Sequence, residues 1–192
     1  MHLKCNYSRD NLNVDFYPSF LNKELADTWF VYLLQYIPVM NRRNSVLFGD
    51  DGIIYTVNYI GETSSRPVLP WTTIPGLVEL KTFIEAITKE RITVCIIQCY
   101  PNGNIGINPH RDKEMIPGTK ICGVSLGATR TLSFTRSGQE PINISLPSGS
   151  LYVMNPPTND KWLHSIVKQP NKVSLNKNEN IRFSLTFRSY KG

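Results

Sequence analysis

Arg182-Phe183-Ser184-Leu185-Thr186-Phe187-Arg188 alternates strictly, with Arg, Ser, Thr and Arg at the even positions and Phe, Leu and Phe at the odd ones. Successive side chains of an extended strand point to opposite faces, so this run is a strand with one apolar face and one polar face that carries an arginine at each end. At about 3.3 Å per residue the two arginines start roughly 20 Å apart and each reaches back about 6 Å, which leaves a gap of roughly 8 Å. A five-carbon dicarboxylate fits that gap, and a guanidinium grips a carboxylate with two parallel hydrogen bonds. The same residues also admit a plainer reading, an exposed strand face with two surface arginines.

Upstream of this strand the texture is similar. Short β-rich runs occur at Ile92 to Tyr100, Ile121 to Leu126, Thr131 to Thr135, Ile142 to Leu146 and Ser150 to Met154, with Gly, Pro and Asn between them. The last strand is expected over Ile181 to Ser189. Two helices precede them. One spans Asn22 to Tyr36, capped by Asn22 and stopped by Pro38, with Leu25, Trp29, Tyr32, Leu33 and Tyr36 as its apolar stripe. The other spans Ile74 to Glu90, with Pro75 in its first turn and Leu77, Leu80, Ile84 and Ile87 facing the core. Helices followed by many short strands indicate an α+β fold, a jelly roll or double-sheet barrel with the N-terminal helices packed outside one sheet. The segment between Pro38 and Pro70 has no clear period. Asn171 to Asn180 reads as an exposed loop.

A chain of 192 residues, 41% of them hydrophobic, suits one domain with modest extensions. The expected organisation is an N-terminal extension over residues 1–14 and a single domain over 15–192, with helices and a recognition region at 15–90 and the β core at 91–192. No run approaches the roughly 20 apolar residues of a membrane span, and Met1 to Tyr7 lacks the apolar centre of a secretion signal. A soluble intracellular protein of nucleus or cytoplasm, monomeric and off the membrane, is therefore expected. Cys5, Cys95, Cys99 and Cys122 form no paired motif and are expected to be reduced, without zinc. A net charge of +6 favours a polyanionic partner such as nucleic acid, though many basic proteins never touch one.

Only three histidines occur, and two lie in informative contexts. His110 and Asp112 are two positions apart, so in an extended segment both side chains emerge on one side and can share an ion. His164 follows further on. Two histidines and one carboxylate covering one face of iron(II) leave the other positions open for a co-substrate and dioxygen. Gln98 and Tyr100 share a strand face just before His110, where an amide and a phenol can reach the same small molecule. A His-x-Asp pair is common, however, and a lone distant histidine is more often structural.

Taken together, these residues resemble the AlkB family, and in particular its DNA-repair branch. The resemblance runs through Phe48 to Gly52, Tyr55-Thr56, Gln98 to Tyr100, His110-Arg111-Asp112-Lys113-Glu114, Val124 to Gly127, Met154 to Asn159, Trp162-Leu163-His164-Ser165 and Arg182 to Arg188. It implies a double-stranded β-helix, iron(II) held by His110, Asp112 and His164 as the catalytic centre, and 2-oxoglutarate held by Gln98, Tyr100, Arg182 and Arg188. Gln98 stands where the family usually has Asn. The resemblance also implies that Glu114 contacts a flipped base and that Tyr55 lines the base pocket. Val57 takes the place of a second pocket aromatic, and Tyr59 is its candidate replacement. The implied activity is oxidative dealkylation of bases such as 1-methyladenine and 3-methylcytosine, consuming 2-oxoglutarate and dioxygen and releasing succinate, carbon dioxide and formaldehyde.

Two other readings stay open at this level. The same metal chemistry serves 2-oxoglutarate-dependent hydroxylases or demethylases of proteins and small molecules, and a non-catalytic nucleic-acid-binding module would keep the basic charge. The resemblance also implies that relatives acting on duplex DNA insert an apolar hairpin between the first helix and the segment that here reads Arg42-Arg43-Asn44, and the Ile37-Pro38-Val39-Met40-Asn41 link is too short for two strands and a turn. Single-stranded DNA or RNA is thus the expected substrate, with Arg42 and Arg43 available to its phosphates.

Overall fold

In the computed structural model, which describes residues 4–59, 62–171 and 177–191, the chain opens with a hairpin of β1 (Cys5–Arg9) and β2 (Leu12–Tyr17). Helix α1 (Lys23–Tyr36) follows, then β3 (Asn44–Gly49), the hairpin strands β4 (Ile54–Tyr59) and β5 (Glu62–Pro67), and the short β6 (Leu69–Pro70). Helix α2 (Leu77–Thr88) leads into β7 (Val94–Tyr100) and β8 (Ile107–His110). Beyond them come β9 (Ile121–Gly127), β10 (Arg130–Thr135), β11 (Ile142–Leu146) and β12 (Ser150–Met154). A single turn of helix, α3 (Thr158–Lys161), precedes β13 (Leu163–Ile166) and the final β14 (Arg182–Arg188).

The strands form an eight-stranded sheet in the order β1-β2-β12-β9-β14-β7-β3-β6 and a four-stranded sheet in the order β11-β10-β13-β8. Strands β4 and β5 pair only with each other. This is the jelly-roll arrangement of a double-stranded β-helix, closed on one side by the helices. The apolar face of β14, Phe183, Leu185 and Phe187, joins Cys95, Ile97 and Cys99 of β7 and the helix residues Trp29, Leu33, Leu80 and Ile84 in one core. Burying each large apolar side chain contributes about 1.5–3 kcal/mol. A second core of Leu12, Val14, Leu132, Phe134, Ile144 and Trp162, with others, fills the space between the two sheets. Beside Arg182 the polar face of β14 looks into that interior, so the surface-arginine reading is excluded: Arg182 is 0% and Arg188 5% exposed.

Several elements depart from the sequence expectations for identifiable reasons. The expected extension over residues 1–14 is, from Cys5 on, part of the large sheet, because Leu12, Val14 and Phe16 alternate into the core while β2 pairs with β12. Asn22 does cap α1, accepting from the Leu25 amide at 2.8 Å. The buried face of α1 is Ala26, Trp29 and Leu33, whereas Leu25 and Tyr36 are 45% and 42% exposed. Helix α2 starts at Leu77 and not at Ile74, since Gly76 at its cap has a left-handed backbone (φ +82°) packed against Trp29. The four cysteines are free, three of them buried. Residues 172–176 of the expected loop over Asn171 to Asn180 lie outside the described residues, and Lys177–Asn180 is a 3-10 turn.

Candidate metal centre and co-substrate site

His110 ends β8 and His164 lies directly opposite it on β13, so one antiparallel strand pair sets both imidazoles side by side, ring centroids 4.3 Å apart. Asp112 is placed by Asn159 of α3, whose amide accepts from the Asp112 backbone N–H at 3.0 Å and donates to its carbonyl at 2.7 Å. The ligand atoms of His110, Asp112 and His164 all lie within 4.8 Å of one another, and His110 Nε2 stands 3.6 Å from Asp112 Oδ1. The far nitrogen of His110, Nδ1, meets the Asn108 carbonyl at 2.9 Å, which leaves Nε2 as the free lone pair.

The electrostatics suit a cation. Burial disfavours the Asp112 carboxylate, but Arg188 first, then His110 and His164, hold it well below the usual carboxylate range. Burial pushes His164 down to about 4, with Asp112 opposing and His110 and Arg188 adding to the shift, so the ring is neutral at physiological pH as a metal ligand must be. Burial also lowers His110, yet its bonds to Asp112 and Asn108 carry it above its usual value. Asp112 Oδ2 is 3.1 Å from Arg188 Nη1, but the two atoms are off hydrogen-bonding geometry, and this buried oxygen and His164 Nδ1 have no hydrogen bond. Three convergent donors with orphaned atoms on a buried face fit a divalent iron.

The co-substrate half is built on the large sheet. Arg182 faces Tyr100 across the β14–β7 pair, its guanidinium 5.1 Å from the phenol ring centroid. Its Nε donates to Ser125 Oγ at 2.9 Å and its Nη2 to Ser184 Oγ at 3.3 Å, while Nη1 is buried without a partner. Among the described residues no carboxylate lies within ion-pair distance of it. A fully buried cation with hydroxyl partners only is an expensive arrangement that a bound carboxylate relieves. Tyr100 donates from its hydroxyl to Gln98 Oε1 at 2.9 Å, so Gln98 and Tyr100 act together on the same face. Arg188 sits at the other end of β14, beside Asp112.

Tyr55 lies against Tyr190, ring centroids 4.9 Å apart, and Tyr190 in turn forms a β-bridge with Met115, next to Glu114. Burial raises the Tyr55 hydroxyl to about 12, with Arg188 opposing and Glu114 and Asp112 reinforcing. Val57 and Tyr59 belong to β4, but their side chains lie outside the described residues. Arg42 is exposed and Arg43 half-buried just before β3, near the Gln98 end of the sheet. The structure adds residues that were not singled out from sequence. Arg130 is buried and donates to the carbonyls of Asn102, Gly103, Ile105 and Val167 at 2.8–3.1 Å, fixing the loop from the co-substrate strand β7 to the metal strand β8. Its position at the start of a strand is no sign of such a role. Tyr152 on β12 is also buried near Arg182 and Arg188, a position visible in retrospect from alternation along that strand.

A family model of the 2OG-Fe(II) oxygenase superfamily matches residues 13–188. The chain belongs to this superfamily. Iron therefore finds its candidate holders in His110, Asp112 and His164. The chain is 32% identical to the mouse and 34% to the human DNA oxidative demethylase ALKBH2, over 135 residues that make up 65% of this chain and 54% and 49% of theirs. It thus spans about half the length of the curated relatives it matches. Two solved structures share the fold: OsALKBH1, at TM-score 0.66 and 12% identity over 97% of this chain and 100% of that one, and a prolyl hydroxylase from Trichoplax adhaerens in complex with a hypoxia inducible factor peptide fragment, at TM-score 0.61 and 13% identity over 92% and 83%.

Proposed function

We propose that this oxygenase removes small alkyl groups oxidatively from nucleic-acid bases, 1-methyladenine and 3-methylcytosine among them, and prefers single-stranded DNA or RNA. The observation that carries the reading is that the Tyr55 ring lies against Tyr190, whose neighbour Lys191 bonds the Glu114 backbone, two residues from the Asp112 that pairs with Arg188 at the metal triad. A phenol ring offers a flat apolar face, and a carboxylate accepts from the exocyclic amine of adenine or cytosine. Bound iron with 2-oxoglutarate and dioxygen supplies the oxidising power, and the hydroxylated N-methyl product breaks down to formaldehyde and the free base. His110, Asp112 and His164 would hold the iron. Arg182 and Tyr100 would hold a carboxylate of 2-oxoglutarate, with Gln98 orienting the Tyr100 hydroxyl. A cleft of about 350 Å³ has Arg111 and Lys113 in its wall together with Asp112 and Asp160, so its basic groups stand beside the metal-site carboxylate.

The test is formaldehyde release, together with succinate formation, over 1-methyladenine and 3-methylcytosine oligonucleotides, single- and double-stranded, DNA and RNA, with peptides in parallel. Formaldehyde from the methylated oligonucleotides and none from peptides is the expected result. Turnover coupled to a peptide but to no methylated base overturns the proposal.

A further inference from the structure

Strands β4 and β5 pair with no strand of the two larger sheets. A two-stranded hairpin is marginal in water by itself, so its orientation depends on the few side chains that tie it down. Arg66 of β5 is one tie, donating from Nη1 to Ser45 Oγ at 2.8 Å and from Nη2 to the Ser45 carbonyl. Tyr190, just past β14, is the other. Its hydroxyl accepts from the Thr56 N–H at 2.9 Å and donates to the Ile54 carbonyl at 3.2 Å, bracketing Tyr55. Its ring lies against that of Tyr55, centroids 4.9 Å apart, within the small cluster of Leu47, Val94 and Ile96.

The backbone around Tyr190 holds a different segment. Met115 forms a β-bridge with Tyr190, the Lys191 N–H donates to the Glu114 carbonyl at 3.2 Å, and the Ile116 N–H donates to the Ser189 carbonyl at 2.9 Å. The Tyr190 N–H is anchored on Thr93 Oγ1 at 2.8 Å, at the start of β7. One residue therefore touches both the hairpin that carries Tyr55 and the segment that carries Glu114.

We propose that Tyr190 is a positioning residue that sets the spacing of the base pocket, its hydroxyl clamping the Tyr55 hairpin while the backbone of its neighbours Ser189 and Lys191 holds the Glu114 segment opposite it. The clamp itself is a structural claim, and its effect on the substrate rests on the nucleobase reading above. Tyr190→Phe keeps the buried ring against Tyr55 and deletes only the two hydroxyl bonds. Loss of the Thr56 partner is expected to speed exchange of that amide about tenfold in the metal-free protein, as local opening becomes easier. The KM for a 1-methyladenine oligonucleotide is expected to rise about five- to tenfold, the scale of one or two hydrogen bonds, with kcat and the 2-oxoglutarate KM changed less than twofold.

Amide exchange followed by mass spectrometry or NMR, alongside these kinetics on the same two proteins, makes the test. An unchanged Thr56 exchange rate overturns the clamp. Faster exchange with an unchanged oligonucleotide KM overturns the positioning role, and so does an equal rise in the 2-oxoglutarate KM, which reports general loosening. If the unaltered protein releases no formaldehyde from any methylated oligonucleotide, the nucleobase reading fails, and with it the stated effect on substrate, while the exchange result decides the clamp independently.

Discussion

Asp112 serves two partners, lending one oxygen to the His110 side and the other to Arg188. His110→Ala removes a metal ligand from a half-buried position and is expected to abolish turnover, read as succinate release, while the melting temperature stays close to that of the metal-free parent. Asp112→Ala also abolishes turnover but leaves the Arg188 guanidinium buried and unpaired, which costs about 3–5 kcal/mol, so a clear fall in melting temperature accompanies it. Retained activity in either variant refutes the ligand assignment. Arg182→Ala is expected to raise the 2-oxoglutarate requirement about tenfold or more, and Glu114→Ala to weaken action on the methylated base, since a charged hydrogen bond contributes roughly 1.5–3 kcal/mol. An Arg182→Ala enzyme with unchanged 2-oxoglutarate dependence would falsify the role of that arginine. The pH response has a definite sign. His164 titrates at about 4 when folded against 6.5 when free, so between these values the unfolded chain binds the extra proton. The contribution is fully present above pH 6.5 and lost as pH falls towards 4. Asp112, already depressed, acts only below pH 3.8, and His110, raised, acts above pH 6.5. The melting temperature of the metal-free protein should drop across pH 6.5 to 4, and a flat profile there would contradict the burial of a neutral His164.

At the scale of elements, the close approaches of backbone decide what can vary. Gly127 ends β9 at φ +85°, and a Cβ there would run into the Ile181 carbonyl and the Phe30 ring. Gly127→Ala is expected to cost about 2–4 kcal/mol, combining the left-handed backbone with the clash. Urea unfolding measures it, and a loss below about 1 kcal/mol would show that β14 shifts freely. Strict alternation made β14 readable from sequence, and short runs of β-branched, aromatic and other apolar residues bounded by Gly, Pro and Asn did the same for β7 and for β9 to β12. Short strands were not readable. β8 is Ile107-Asn108-Pro109-His110, with a proline and no alternation, and exists because β13 pairs with it. β13 itself spans only Leu163–Ile166. In α1 the apolar residues surround more of the helix than the core covers, so the stripe alone did not tell Ala26 from Leu25. The triad was legible because metal chemistry restricts the residue types. Tyr190 and Arg66 were not, since their partners are backbone atoms and one hydroxyl distant in sequence, and nothing in a tyrosine or an arginine announces such partners.

Over the whole molecule, the route between α1 and β3 bears on the proposed action on nucleic acid. Residues 38–43 contain no strand, with bends only at Asn41 and Arg42, so no hairpin projects there that could fill the gap left by a flipped base. Unstacking and unpairing cost a few kcal/mol, and without a wedge duplex is expected to be disfavoured by a factor of roughly ten or more. Matched 1-methyladenine oligonucleotides, as single strands and as duplexes at one salt concentration, give the comparison, and equal or faster duplex repair contradicts it. Binding held by Arg42, Arg43, Arg111 and Lys113 should also weaken steeply as salt rises. The opposition of His110 and His164 has one more consequence. Strands β9 to β12 lie between them in the chain, so an ion gripped by both imidazoles ties off a loop that contains four strands of the barrel. Such a tie shrinks the unfolded ensemble much as a covalent bridge does, and iron lost to a chelator then takes with it a fastening of the fold as well as a reagent.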